Sequence, residues 1–272
     1  MQKLLLISSL FLLIFSGNAQ PFHFAHVTDT HVGGATGAED LEQTVADLNS
    51  LREVEFVIFS GDITEFGSGE ELRRAKTIID RLQKPWYIVP GNHDAKWSES
   101  GGNDFIRIFG SETFSFVKDG ILFAGTASGP TMRMAPALVP REQLLFLDSL
   151  LDHIPDPHMP IIYINHYPLD ESLSNSDKVL GLLKSRNTVA TLHGHGHTNQ
   201  SFSFRGIPGI MGRSNLRASR EFGGYNIATI SEDTLYYAER ITGQKTLPVW
   251  FKVALQGNPK EESMVTETPS PA

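Results

Sequence analysis

Five short stretches of this chain carry side chains suited to holding metal ions: Asp29-Thr30-His31, Gly61-Asp62, Gly91-Asn92-His93-Asp94, Asn165-His166 and Gly194-His195-Gly196-His197. The potential ligands in them are Asp29, His31, Asp62, Asn92, His166, His195 and His197. Carboxylate, amide and imidazole donors without a thiolate suit hard-to-borderline divalent or trivalent ions such as manganese, iron or zinc. Cysteine is absent, which excludes thiolate sites and disulfides alike. The grouping points to a dinuclear centre.

Each stretch follows a short apolar run with strand character: Phe22–Val27, Phe56–Phe59, Trp86–Val89, Ile161–Ile164 and Val189–Leu192. The ligands are therefore expected at the carboxyl ends of strands. In open α/β sheets those ends converge on one edge, where rigid strands hold the loops that bind ligands. Taken singly, every stretch has a blander reading. An Asp after a strand often caps a turn or the next helix, Gly194–His197 could be a polar turn, and His166 could be a satisfied histidine at a strand end. Two imidazoles two residues apart between glycines can nevertheless both turn inward, and glycine lets the backbone approach an ion closely. The ordered series promotes what no single member would.

That order resembles the calcineurin-like metallophosphoesterases, over roughly residues 22 to 240. The resemblance implies one ion on Asp29, His31, Asp62 and His197, another on Asp62, Asn92, His166 and His195, and Asp62 bridging both. It implies an α/β fold, a four-layer α/β/β/α sandwich of two mixed β-sheets flanked by helices, with the metals at one edge. Two cations about 3.5–4 Å apart lower the pKa of a shared water and bind phosphate oxygens, so metal-held hydroxide is the implied nucleophile. His93, beside ligand Asn92, is the implied general acid. An acidic partner for it is expected at Glu65, where relatives more often carry Asp; Asp94 is a local alternative that would orient the loop.

Departures from the pattern narrow the branch. Purple acid phosphatases have Gly where His31 stands and a ligand Tyr where this chain has Glu65. Protein Ser/Thr phosphatases continue Gly-Asp with Asp-Arg-Gly, whereas this chain reads Gly61-Asp62-Ile63-Thr64-Glu65-Phe66-Gly67. The start looks most like the bacterial cyclic-nucleotide and glycerophosphodiester phosphodiesterases. Small phosphodiesters, 3',5'-cyclic nucleotides among them, are the implied substrates. Phosphomonoester hydrolysis on the same fold is one alternative. A non-catalytic binding scaffold, as in the retromer subunit of this fold, is another, against which the full ligand set and His93 argue. His23, His26, His153, His158 and His193 match no ligand position.

A chain of 272 residues, 40% hydrophobic and 20% charged, has ordinary globular composition and material for one core, expected over 20–256. Residues 1–19 read as a signal peptide, with Lys3, an apolar Leu4–Phe15 run too short to span a bilayer, and a small-residue Gly17-Asn18-Ala19 cleavage site. The expectation is an exported product, periplasmic or secreted, with no stable membrane anchor. The formal charge is −8, and losing Lys3 with the leader makes it more negative. Such a chain repels long nucleic acids, which leaves a small phosphorylated substrate as the expected partner.

Between the motifs, Leu41, Val45 and Leu48 repeat at helical spacing after Glu39-Asp40. A second helix is expected after Ser68, with Glu71 completing a capping box and Leu72, Ala75, Ile79 and Leu82 on one face before Pro85. Residues 113–126 read as two β runs about Lys118-Asp119-Gly120, Arg141–Leu151 as a helix, and 225–230 and 234–239 as strands. The tail 257–272 is too polar to offset its ordering entropy and is expected to be disordered. Two loops are placed to meet substrate, Ser128–Met134 with Arg133 and Met211–Arg217 with Arg213, Ser214, Asn215 and Arg217. Their arginines either reach a phosphate or form surface ion pairs.

Overall fold

The apolar runs that precede the ligand stretches become strands, and their alternation sets the layers. The computed structural model describes residues 20–129 and 136–255; the expected signal peptide, Arg133 and the C-terminal tail lie outside the described residues. In chain order the elements are β1 (Phe22–Val27), α1 (Gly37–Ser50), β2 (Val54–Ser60), α2 (Gly69–Ile79), β3 (Trp86–Val89), α3 (Asn92–Ala95), α4 (Asn103–Phe109), β4 (Phe114–Lys118) and β5 (Ile121–Gly125). There follow α5 (Arg141–Asp152), β6 (Ile161–Ile164), α6 (Ser176–Lys184), β7 (Thr188–His193), β8 (Gln200–Phe204), β9 (Ile207–Met211), β10 (Gly224–Ser231), β11 (Thr234–Ile241) and β12 (Thr246–Ala254).

One sheet has the order β12-β11-β10-β1-β2-β3, the other β4-β5-β6-β7-β9-β8. Both are mixed: β1 runs parallel to β2 and antiparallel to β10, while β5, β6, β7 and β9 are parallel with β4 and β8 antiparallel at the edges. Successive side chains point to opposite faces of a strand. Phe24, Phe56 and Ile58 accordingly meet Phe123, Ile162, Ile164 and Leu192 between the sheets. Ala25, Val57 and Phe59 face outward to Leu41, Val45 and Leu48 of α1 and Leu72, Ala75 and Ile79 of α2. On the far side Leu147 and Leu151 of α5 and Val179, Leu180 and Leu183 of α6 cover Leu122 and Tyr163. This is the four-layer α/β/β/α sandwich.

The start of α2 is built as the capping box requires: Ser68 Oγ accepts from Glu71 N and a Glu71 carboxylate oxygen accepts from Ser68 N, each at 3.2 Å. That helix ends earlier than its apolar spacing suggests. Leu82 lies past Ile79 and still packs on the core through a turn. The β8–β9 hairpin, α6 and β12 are absent from the sequence reading. β8 alternates apolar residues with Gln200, Ser201 and Ser203, and β12 is an edge strand carrying Pro248, which is tolerated where no neighbour needs its missing N–H.

Candidate metal centre

All of the expected ligands lie at one edge of the two sheets, in loops leaving β1, β2, β3, β6 and β7. The loops are tied across the gap by main-chain bonds: Asp29 N donates to Gly61 O at 3.0 Å, His31 N to Asp62 O at 3.1 Å, and Gly194 N to His166 O at 3.0 Å. Ser214 Oγ adds a bond to Asp29 O at 2.8 Å. Two glycines are dictated by contact. A Cβ on Gly91 would sit 2.2 Å from Asp62 Oδ1, and one on Gly194 would sit 2.0 Å from Thr28 Oγ and 2.6 Å from Asp29 Oδ2.

Asp29, His31, Asp62, His195 and His197 all hold positive φ, between 44° and 72°. Non-glycine residues avoid this left-handed region at a cost of roughly 1–3 kcal/mol each, and such strain clusters where function fixes side-chain direction.

The side chains converge in two sets. In the first, His197 Nε2 lies 3.1 Å from Asp29 Oδ1, and His31 Nε2 lies 3.3 Å from His197 Nε2, 3.9 Å from Asp29 Oδ1 and 4.0 Å from Asp62 Oδ2. In the second, His166 Nε2 is 3.1 Å from Asp62 Oδ2 and His195 Nδ1 is 3.0 Å from Asn92 Oδ1. Donor atoms around one ion at about 2.0–2.2 Å sit about 3–3.5 Å apart, so the spacings of 3.0–3.3 Å suit neighbouring ligands on a cation, with the two longer ones to His31 a little wider. The buried His166 Nε2 makes no aligned hydrogen bond, while Nδ1 donates to Ser60 O at 2.9 Å, so Nε2 is the ring nitrogen turned into the site. The donor set fits a pair of metal ions.

Asp62 is shared in a specific way. Its Oδ1 accepts from His93 N at 2.8 Å, which leaves Oδ2 to face both His166 and His31. The same oxygen thus faces both sets of side chains. Charges in the cluster follow from proximity. Burial alone would keep the carboxyls of Asp62 and Asp29 neutral, but the neighbouring imidazoles hold both below the usual carboxylate range. Burial also opposes a charged His166, yet Asp62 beside it pushes it up to about 9; His195, with burial and His166 against its cation, falls to about 4.

His93 and Glu65 are neighbours in a different way from the expected carboxylate–imidazole pair. His93 Nδ1 donates to the main-chain oxygen of Glu65 at 2.5 Å. The Glu65 carboxylate instead lies 3.1 Å from His31 Nδ1, close in distance though not aligned as a hydrogen bond. Glu65 N donates to Val32 O, which lays residue 65 alongside the β1 loop, and the side chain extends along that loop to His31. Asp94 takes the loop-orienting role. Its carboxylate accepts from Ile63 N at 3.0 Å, Thr64 N at 2.9 Å, Thr64 Oγ at 2.7 Å and Gly91 N at 2.9 Å.

The arginines of the Met211–Arg217 loop are ion-paired. Arg213 is buried, bonded to Glu239, Ser214 O and Leu216 O, and Arg217 pairs with Asp40 at 2.6 Å and Glu39 at 2.7 Å. They brace the loop whose Ser214 and Asn215 hold the backbone of Asp29 and Thr28. Thr28 and Ser60 are supporting residues that sequence reasoning missed, and Ser214, expected on a substrate-facing loop, bonds the backbone of Asp29 instead. A hydroxyl at a strand end was visible, but not its direction. Among the other histidines, His26 bonds Ser60 Oγ at 2.7 Å and Tyr237, and His193 bonds Thr191 Oγ at 2.7 Å. Burial pushes both down to about 3, so they are neutral and structural.

A family model described as Calcineurin-like phosphoesterase matches residues 22–199. A probable glycerophosphodiester phosphodiesterase of Arcobacter nitrofigilis is 29% identical over 195 residues, 62% of this chain and 65% of that protein. This chain thus aligns with just under two thirds of that relative's length. A probable cyclic nucleotide phosphodiesterase of Rhodopseudomonas palustris is 24% identical over 212 residues, covering 68% of this chain and 75% of that one. Among solved structures, a dimetal phosphatase from Danio rerio superposes with a TM-score of 0.67 at 15% identity, covering 86% of this chain and 99% of that one. At that identity the likeness is one of fold.

Proposed function

This chain belongs to the calcineurin-like phosphoesterase family, and we propose that it is a two-metal hydrolase of small phosphodiesters, 3',5'-cyclic nucleotides among them. The observation that carries this reading is the convergence of two sets of candidate ligands on Asp62 Oδ2, with the His93 ring 4.7 Å from that of His31. Asp29, His31, Asp62 and His197 would hold one manganese, iron or zinc ion, and Asp62, Asn92, His166 and His195 the other. Bound there, the pair would acidify water and neutralise phosphate oxygens.

The chain's own groups supply the rest. His93 has Nδ1 committed to Glu65 O, so its second ring nitrogen is the one left to give a proton to the departing ester oxygen. The His93 main-chain N–H fixes Asp62 Oδ1 and so turns Oδ2 toward both ligand sets. Glu65 places negative charge against His31, which favours the electron-rich imidazole that a metal ligand needs. The acidic formal charge of −8 favours small phosphorylated molecules over nucleic acid strands. Diester preference is supported by the names of the two aligned bacterial relatives. The leader-like composition of residues 1–19 supports export to the periplasm or beyond.

The test is to load purified protein with manganese, measure bound metal, and compare rates on bis(p-nitrophenyl) phosphate, p-nitrophenyl phosphate and cyclic AMP. About two ions per chain and faster diester than monoester turnover are expected. A strong monoester preference would reverse the substrate assignment. Two bound ions with no hydrolysis of any ester would leave a binding protein.

A further inference from the structure

Two large apolar side chains on the segments around the proton donor are open to solvent in part. Phe66 is 58% exposed and Trp97 37%. Scattered exposed apolar residues are ordinary, but one on each of two segments that adjoin the His93 ring is informative. Phe66 directly follows Glu65, whose carbonyl receives the His93 ring, and precedes Gly67, where a Cβ would lie 2.8 Å from His93 O. The indole of Trp97 lies 6.4 Å from the His93 ring, centroid to centroid.

Both are presented from constrained backbone. Phe66 N donates to Glu71 Oε2 at 3.0 Å and Gly67 N to Thr64 Oγ at 3.1 Å, while Trp97 follows Lys96, whose N–H closes the turn of α3 on Asn92 O at 2.7 Å. Lys96 Nζ sits 5.5 Å above the indole centroid, so a charged group lies next to the apolar surface.

We propose that Phe66 and Trp97 form an apolar platform for the leaving group, selecting diesters whose departing oxygen carries an aromatic or heteroaromatic group, aryl or nucleoside, over short alkyl esters. The inference rests on the phosphodiesterase reading. If His93 protonates the departing oxygen, whatever is attached to that oxygen must lie beside His93, and among the described residues Phe66 and Trp97 are the exposed large apolar side chains on the segments around it. A planar group on them gains stacking and buries apolar area, whereas a methyl or ethyl group gains little.

The experiment compares release of benzyl alcohol from benzyl methyl phosphate with release of ethanol from ethyl methyl phosphate. These leaving alcohols have similar basicity and differ in the ring. For the manganese-loaded wild-type chain the ratio of the two kcat/KM values is expected to favour benzyl by about tenfold. Trp97→Ala and Phe66→Ala should each cut that ratio about three- to tenfold, and Trp97→Phe should restore most of it. The inhibition-constant ratio of phenylphosphonate to methylphosphonate should move the same way, giving a readout that survives low turnover. A wild-type ratio near one, or variants that slow both esters equally, would overturn the platform. So would a shift in sedimentation of the variants with an unchanged ratio, which would mean the two side chains seat a second copy of the chain. Absence of turnover on every ester by protein holding two ions would instead sink the phosphodiesterase reading, and the platform with it.

Discussion

Replacing Asp94 with alanine removes an acceptor that ties the Gly61–Thr64 loop to the Gly91–Asp94 loop. Three main-chain N–H groups and the Thr64 hydroxyl, at 2.7–3.0 Å, would lose their partner in a place where Asp94 is fully buried. Hydrogen bonds to a charged acceptor contribute about 1.5–3 kcal/mol each when measured singly, and they are not additive within one network. Part of that is offset by the cost of the charge itself: burial, joined by the negative charge on Asp62, pushes the Asp94 carboxyl up to about 6 despite the donors around it. The net loss is expected to be about 3–5 kcal/mol. For a domain of this size it corresponds to about 6–20 °C in melting temperature. Asp94→Asn should lose less, because the amide keeps one acceptor. The assay is thermal unfolding by circular dichroism on metal-stripped protein, so that ions binding the folded state do not mask the effect. Manganese affinity should fall alongside, since Ile63 and Gly91 adjoin Asp62 and Asn92. An Asp94→Ala chain that melts within about 2 °C of wild type would show that this network does not hold the loops together.

Asp62→Asn should reduce bound metal from about two ions per chain to one or fewer, read by elemental analysis after gel filtration, because the oxygen facing both ligand sets loses its charge. His93→Ala should keep its metal yet lose about 10²–10⁴ in kcat on esters with poor leaving groups, and far less on p-nitrophenyl esters, whose leaving oxygen needs no proton. Away from the site, burial works against the charge on Asp47, but bonds from Arg240, the Gly243 N–H and Tyr225 hold its carboxyl below the usual value of 3.8. A folded-state value below the unfolded one gives stability that is present above about pH 4 and is lost as the pH falls further. Asp47→Asn should therefore flatten the acid limb of stability measured as urea midpoints between about pH 5 and 3.

Ligand chemistry and strand-end position were legible from the sequence because both are local. An apolar run followed by Asp-x-His or Gly-His-x-His states donor type and rough location in adjacent residues. The Ser68–Glu71 capping box and the apolar face of α1 were readable for the same reason. Where the local pattern was mixed, as in β8, or interrupted by proline, as in β12, the strand escaped notice because pairing with a neighbour, not the segment's own pattern, makes it a strand.

Which atoms meet was decided only by the tertiary structure. Two sheets had to bring the loop after β1 and the loop after β7 together before His31 and His197, far apart in the chain, could point nitrogens at one spot. The same packing sent the Glu65 carboxylate to His31 and left its main-chain oxygen to His93. It also turned Arg213 and Arg217 into braces. Side-chain direction at a loop depends on φ, and five of the candidate ligands hold a positive φ that is uncommon for any residue but glycine. Long-range hydrogen bonds impose that conformation, so no window of neighbouring residues contains it.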